Sequence, residues 1–144
     1  MNKIKIIVLY RVIQEWRKPV FDRLANKYDL KVYYGPDFPN SKVVSTKKLI
    51  HFNTKKLYSL KFSKESSNGL IAMPFSPFLF FNLLIDKPDV IITEGASNLI
   101  NATIAFLYCK LFNKKFIWWS LGKLENTNYN LVRQIINYPI EIIE

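Results

Sequence analysis

Apolar and polar positions along the chain switch repeatedly between two periodicities. Residues 3–10 (KIKIIVLY) form a nearly unbroken β-branched run, as expected of a strand covered on both faces. The next apolar positions, Trp16, Val20, Phe21, Leu24 and Tyr28, recur at helical spacing. They predict a helix over 16–27, with Pro19 tolerated only in its first turn. Residues 30–34 predict a second strand, closed by Gly35-Pro36, which continues neither element.

Residues 37–64 are the least regular stretch. Residues 49–52 and 57–62 predict two short strands, with 53–56 as the turn between them. Residues 70–75 predict another strand and 77–85 a short apolar helix. The clearest strand is 90–93 (VIIT), opened by Pro88-Asp89 and ended by Glu94-Gly95. Ser97 or Asn98 can cap the following helix, whose apolar side includes Leu99, Ile100, Ala102, Thr103, Phe106, Leu107 and Leu111. Lys114-Lys115 lead into a strand at 116–119 (FIWW), ending at Ser120-Leu121-Gly122, and a last helix starts near Tyr129, interrupted by Pro139.

Strands alternating with helices at this spacing predict an α/β fold: a Rossmann-like, mostly parallel sheet flanked by helices. A length of 144 residues with 49% hydrophobic content suits a single domain over 1–144 with a real core.

Charge changes this picture in one respect. Residues 1–64 carry 15 basic and 4 acidic side chains, against 6 and 7 in residues 65–144, and seven lysines without an acid fall within 42–64. Such a field attracts nucleic acid, anionic lipid or phosphorylated substrate alike; a lysine-rich face that merely keeps the protein solvated is the plainer reading. Lys47, Lys48, Lys55 and Lys56 are the candidate membrane or anion contacts. The apolar stretch 66–85 contains Gly69, Pro74 and Pro77 and divides into a strand and a helix, so it predicts no membrane span. With no secretory signal at the N-terminus, the expectation is a cytoplasmic protein that touches the inner face of the membrane without crossing it. Cys109, alone in an apolar helical run, reads as a buried thiol, and a single histidine, His51, supports neither a zinc site nor a Ser/His/Asp triad.

In open α/β sheets ligands bind beyond the carboxyl ends of the strands. Gly35, Gly95 and Gly122 each follow a strand there, as turn glycines or as points of close ligand approach. Arg11, Glu15, Trp16 and Arg17 follow the first strand, Glu94 ends the best one, Ser97 and Asn98 open the next helix, and Trp119 and Ser120 end the last. A carboxylate, indole faces and small hydroxyls suit a sugar ring. The same groups also serve as helix caps, core aromatics or surface charges. No G-x-G-x-x-G follows the first strand, and neither a G-x-x-x-x-G-K-[ST] loop nor a G-x-S-x-G elbow occurs. Dinucleotide, P-loop and α/β-hydrolase chemistry are thereby disfavoured, and no cofactor or metal is expected.

Several segments together carry a family resemblance. The opening strand, Arg17-Lys18-Pro19-Val20-Phe21 with Leu24, Val32-Tyr33-Tyr34-Gly35, the run from Lys87 to Gly95 (KPDVIITEG) and Phe116-Ile117-Trp118-Trp119-Ser120-Leu121-Gly122 resemble, in order and spacing, the N-terminal domain of family 4-type bacterial GT-B glycosyltransferases. The resemblance implies an acceptor-binding domain for a saccharide or lipid-linked acceptor in cell-surface polysaccharide synthesis. A nucleotide-sugar would be held by a second domain bearing an E-x₇-E motif. It further implies that 1–144 stops short of that domain and of the last strand of its own, so that the chain alone is inactive. Arg11, Trp16, Arg17, Gly95, Ser97, Asn98, Trp119, Ser120 and Gly122 become candidate acceptor contacts, and Glu94 the candidate catalytic base. The histidine that many relatives carry after the last of these strands is replaced here by Ser120-Leu121-Gly122. Nucleic acid is not an expected partner; the rival reading is a non-enzymatic α/β binding module whose lysine-rich face takes nucleic acid or anionic membrane.

Overall fold

The computed structural model describes residues 3–38, 44–46, 50–66, 69–94 and 98–119. Strand β1 (Lys5–Tyr10) is followed by a 3-10 turn (Glu15–Arg17), helix α1 (Lys18–Lys27) and strand β2 (Asp29–Tyr34). Next come β3 (Asn53–Lys56), β4 (Leu60–Ser66), β5 (Gly69–Phe75), α2 (Leu79–Asp86), β6 (Val90–Glu94), α3 (Leu99–Leu111) and β7 (Lys115–Trp119).

Five strands form one sheet in the order β3-β2-β1-β6-β7, every neighbouring pair parallel. The fold is α/β and Rossmann-like. The period-two alternation of β1 divides its side chains between two cores. Ile7 and Leu9 pack with Leu79 and Leu83 of α2 and with Ala105, Tyr108 and Cys109 of α3. Ile6, Val8 and Tyr10 pack on the other face with Phe21 of α1, Leu30, Val32 and Phe52. Covered on both faces, β1 has to be an unbroken apolar run, which is why its sequence announces it. The β4–β5 pair is a separate antiparallel ribbon between β3 and α2 in chain order.

From β1 the chain winds outward to β2 and β3, then returns to lay β6 on the other side of β1. The sheet therefore reverses its direction of growth between β1 and β6. Two carboxylates close this seam: Lys5 N–H donates to Asp89 Oδ2 at 3.1 Å at its amino end, and Arg11 N–H donates to Glu94 Oε2 at 2.8 Å at its carboxyl end. The bond from Lys5, followed by the Lys114 ammonium, holds the exposed Asp89 carboxyl below the usual carboxylate range.

The structure corrects three sequence expectations. Residues 53–56, expected as a turn, are strand β3, whereas the described residues 50–52 of the expected strand lie outside any strand. The segment NTKK pairs with β2 through its backbone and leaves mostly exposed side chains, so hydrophobicity gives no sign of it. In the first helix, Trp16 and Val20 face solvent while Phe21 is buried and Leu24 and Tyr28 pack beside it. In α3 the buried face is Asn101, Ala102, Ala105, Tyr108 and Cys109; Ile100, Leu107 and Leu111 point outward. Stretch 66–85 does divide between β5 and α2, and no helix among the described residues is long and apolar enough to cross a membrane. The helix expected from Tyr129 lies outside the described residues.

Candidate functional site

The carboxyl ends of the parallel strands bring Tyr10, Gly35, Glu94 and Trp119 to one edge, at the reversal between β1 and β6 where α/β sheets open a ligand crevice. Arg11 is gripped from both sides there. Its N–H goes to Glu94, and its carbonyl accepts from Gly35 N–H at 2.9 Å. A Cβ on Gly35 would come within 3.3 Å of that carbonyl, so glycine is the residue that lets β2 approach so closely.

Arg17 reaches the same edge from the turn before α1. Its guanidinium carbon lies 4.1 Å from the ring centroid of Trp16 and 4.1 Å from that of Trp119, with the Tyr10 ring at 5.8 Å. Three residues singled out from sequence are thus stacked together, with the Trp119 indole half-buried and the Trp16 indole open to solvent. A guanidinium between two indole faces is held by cation–π attraction and planar stacking. Tyr10, which sequence reasoning passed over, completes the group. Burial and then the Glu94 carboxylate push its phenol upward, partly opposed by Arg17 and Arg11, so it remains a neutral hydroxyl. Its place as the last residue of β1, next to Arg11, was the available signal. Among the described residues, the buried Nε atoms of Arg11 and Arg17 and the Oγ1 of Thr93 have no hydrogen-bond partner.

Asn98 does not join this group. It is buried, its Oδ1 accepts from Asn101 Nδ2 at 2.9 Å, and it makes no side-chain cap of α3. Asn101 in turn accepts from Ser76 N–H at 2.8 Å, and Ser76 Oγ lies 2.7 Å from Ser59 Oγ. Asn98 therefore belongs to a buried polar network that ties the start of α3 to the loop before α2, and the expectation of an acceptor contact is corrected to a structural one. Gly95, Ser97, Ser120 and Gly122 lie outside the described residues.

Of the expected anion contacts, Lys55 and Lys56 lie on the edge strand β3, and Lys47 and Lys48 fall outside the described residues. Lys56 is exposed, but the Lys55 ammonium sits 5.7 Å from the Tyr33 ring centroid, and nearby Lys61 donates to the Asp37 carbonyl at 2.8 Å. A depression of about 720 Å³ opens at the opposite, amino edge of the sheet, lined by Lys3, Lys5, Lys87, His51, Asp29 and Asp89 among others. The carboxyl ends of the helices lie on that side, where lysines complement the helix dipoles. This depression therefore reads as electrostatic trim, and the chemistry concentrates at the other edge. Among the described residues no group of three or more His, Cys, Asp or Glu could hold a metal ion.

The edge thus offers one carboxylate, one neutral phenol, two guanidinium groups and two indole faces. That set can hydrogen-bond a polyhydroxylated ligand from several directions and stack against its C–H face. No protein-family model matches the sequence, and no curated protein matches it.

Proposed function

We propose that this domain binds the acceptor in a glycosyl-transfer reaction of the GT-B type. The observation that carries the reading is Glu94, fixed by Arg11 N–H at the reversal of the sheet, beside Tyr10 and the Trp16–Arg17–Trp119 stack. An acceptor sugar lies against the indoles, its hydroxyls bonded to Tyr10 and the guanidinium groups. Glu94 takes the proton of the attacking hydroxyl as general base. Anchoring one oxygen of the carboxylate to backbone limits its motion, and positioning of this kind lowers the barrier by removing orientational freedom. The nucleotide-sugar is held by a second Rossmann-like domain.

The test is a nuclear magnetic resonance titration of the 144-residue chain with short saccharides and, separately, with a single-stranded oligonucleotide. The expected result is saccharide-dependent shifts at the Tyr10, Arg11 and Glu94 amides and the Trp119 indole, with no response to the oligonucleotide. Oligonucleotide shifts centred on Lys55 and Lys56, with saccharides silent, would overturn the proposal in favour of a lysine-faced binding module. Nucleotide-sugar turnover by this domain alone would contradict its restriction to the acceptor.

A further inference from the structure

The Arg17 guanidinium carbon lies 4.1 Å from the Trp16 ring centroid and 4.1 Å from that of Trp119, so aromatic surface takes up its faces. What a stacked guanidinium leaves open is its edge, where the N–H donors fan out in one plane. A stack fixes that plane but satisfies no donor. Arg17 Nε is buried without a hydrogen-bond partner, and so is Nε of Arg11, the other guanidinium at this edge. A buried donor left unpaired costs free energy, and more when it belongs to a charged group.

The charge at this edge is also unbalanced. Among the described residues, the charges that act on the Tyr10 phenol are those of Glu94, Arg17 and Arg11, one negative against two positive. The ion pairs Lys31–Asp86 and Lys114–Asp89 are made away from this edge. One positive charge is left over, beside the half-buried Trp119 indole, where water screens it less than in bulk. A neutral sugar can accept hydrogen bonds from the guanidinium edge but leaves that charge in place. A phosphate monoester brings nearly two negative charges next to Glu94 and overshoots the balance. A carboxylate brings one, and its two oxygens match the planar fork of a guanidinium.

We infer that the acceptor taken at this edge is an acidic saccharide, whose carboxylate bonds the open edge of Arg17 with Arg11 in support. The inference rests on the reading of this edge as an acceptor site and adds the chemical class of the acceptor. Arg17 is then the residue that sets specificity: its faces are used for stacking, and its edge reads the substituent that distinguishes a uronic acid from the neutral sugar of the same ring.

Matched ligands test it. The 144-residue chain is titrated by nuclear magnetic resonance with methyl glucuronide against methyl glucoside, and with the galacto-configured pair. Glucose 6-phosphate and acetate are titrated alongside. At least one acidic member is expected to bind roughly tenfold tighter than its neutral partner, shifting the Trp119 indole and the Arg17 side-chain signals. In Arg17→Gln the preference is expected to fall to about twofold, and Arg17→Lys, which keeps the charge but not the fork, to restore little of it. Lys110→Gln removes a charge from the exposed end of α3 and leaves the preference as it was. Because the readout is a ratio within one variant, a partial loss of folding does not mimic the result. Equal binding of acidic and neutral partners in both pairs overturns this inference alone, while the acceptor reading stands. Silence toward every saccharide overturns both. Tighter binding of glucose 6-phosphate assigns the edge to a phosphorylated acceptor, and acetate acting as strongly as the uronides reduces it to a general anion site; either outcome overturns the inference. So does a loss of preference in Lys110→Gln equal to that in Arg17→Gln, which would trace it to overall charge.

Discussion

The backbone N–H of Arg11 and Oε2 of Glu94 lie 2.8 Å apart although their residues are separated by 83 positions in the chain. The bond extends the β1–β6 ladder by one further rung, with a side-chain carboxylate in place of a backbone carbonyl. It places an acid where the sheet reverses and fixes the direction in which the chain leaves β1.

Replacing that carboxylate separates the two duties. Glu94→Gln keeps an oxygen acceptor for Arg11 N–H and is expected to change stability by no more than about 0.5 kcal/mol. Glu94→Ala leaves the part-buried donor without that partner and is expected to cost about 1–2 kcal/mol. Urea denaturation of the two variants, with m-values compared, checks the difference.

A second polar cluster ties the sheet to α2. Asp86 Oδ2 accepts from Lys31 Nζ at 2.8 Å and from the Tyr33 hydroxyl. Burial pushes the Asp86 carboxyl up, but the bonds from Lys31 and Tyr33 and the charges of Lys31 and Lys55 outweigh it, leaving its pKa below the ordinary 3.8. Stability from this group is therefore complete above about pH 4 and is lost as the pH falls through the lower folded-state value. Tyr33 runs the other way: burial, then the bond to Asp86 and its charge, raise the phenol far above its usual value of 10.0. Its contribution is complete below pH 10 and is lost as the pH rises beyond it. Asp86→Asn is expected to cost about 1–3 kcal/mol at neutral pH and to flatten the acid limb of a stability–pH profile.

Cys109 provides a chemical probe of the core. Burial pushes its thiol up to about 11, with the Lys114 charge partly offsetting the effect, and its Sγ lies 3.6 Å from the Lys115 carbonyl. The native protein is expected to resist a thiol-reactive dye at pH 8 and to react fully in denaturant. Fast labelling of the folded chain would contradict the burial.

The first helix separates packing from exposure. Phe21 is fully buried, edge-on to Tyr10 at 5.9 Å and to Phe52 at 5.5 Å. Phe21→Ala is expected to destabilise by about 3–5 kcal/mol. Trp16→Ala is expected to cost no more than about 1 kcal/mol, chiefly the loss of its stack on Arg17. Thermal melts distinguish them, and tryptophan fluorescence reports the altered stack.

What could be read in advance follows from where the information is stored. β1 and β6 are buried on two faces and declare themselves as apolar runs. β3 contributes backbone hydrogen bonds and little else, so Asn53-Thr54-Lys55-Lys56 looks like a turn until β2 is present to pair with it. Periodicity located the first helix but did not rank its apolar residues, because Trp16 stacks on a cation at the rim while Phe21 fills the core. At the site, sequence supplied Arg11, Arg17, Trp16, Glu94 and Trp119 as neighbours of strand ends. It could not show that a main-chain donor holds Glu94 or that Asn98 turns inward to Asn101.

The reversal of the sheet also sets an order of assembly. β1, α1 and β2 are consecutive and can close on one another over a short span of chain. β6 meets β1 only when residues 84 positions apart, Lys5 and Asp89, come together, and the entropy of closing a loop grows with its length. Docking of β6 is thus the slow, non-local event in folding, and until it happens Glu94 is not held against Arg11 at the carboxyl edge. In refolding followed by pulsed hydrogen exchange, the amides of β2 gain protection before those of β6, and ligand competence appears with the second group.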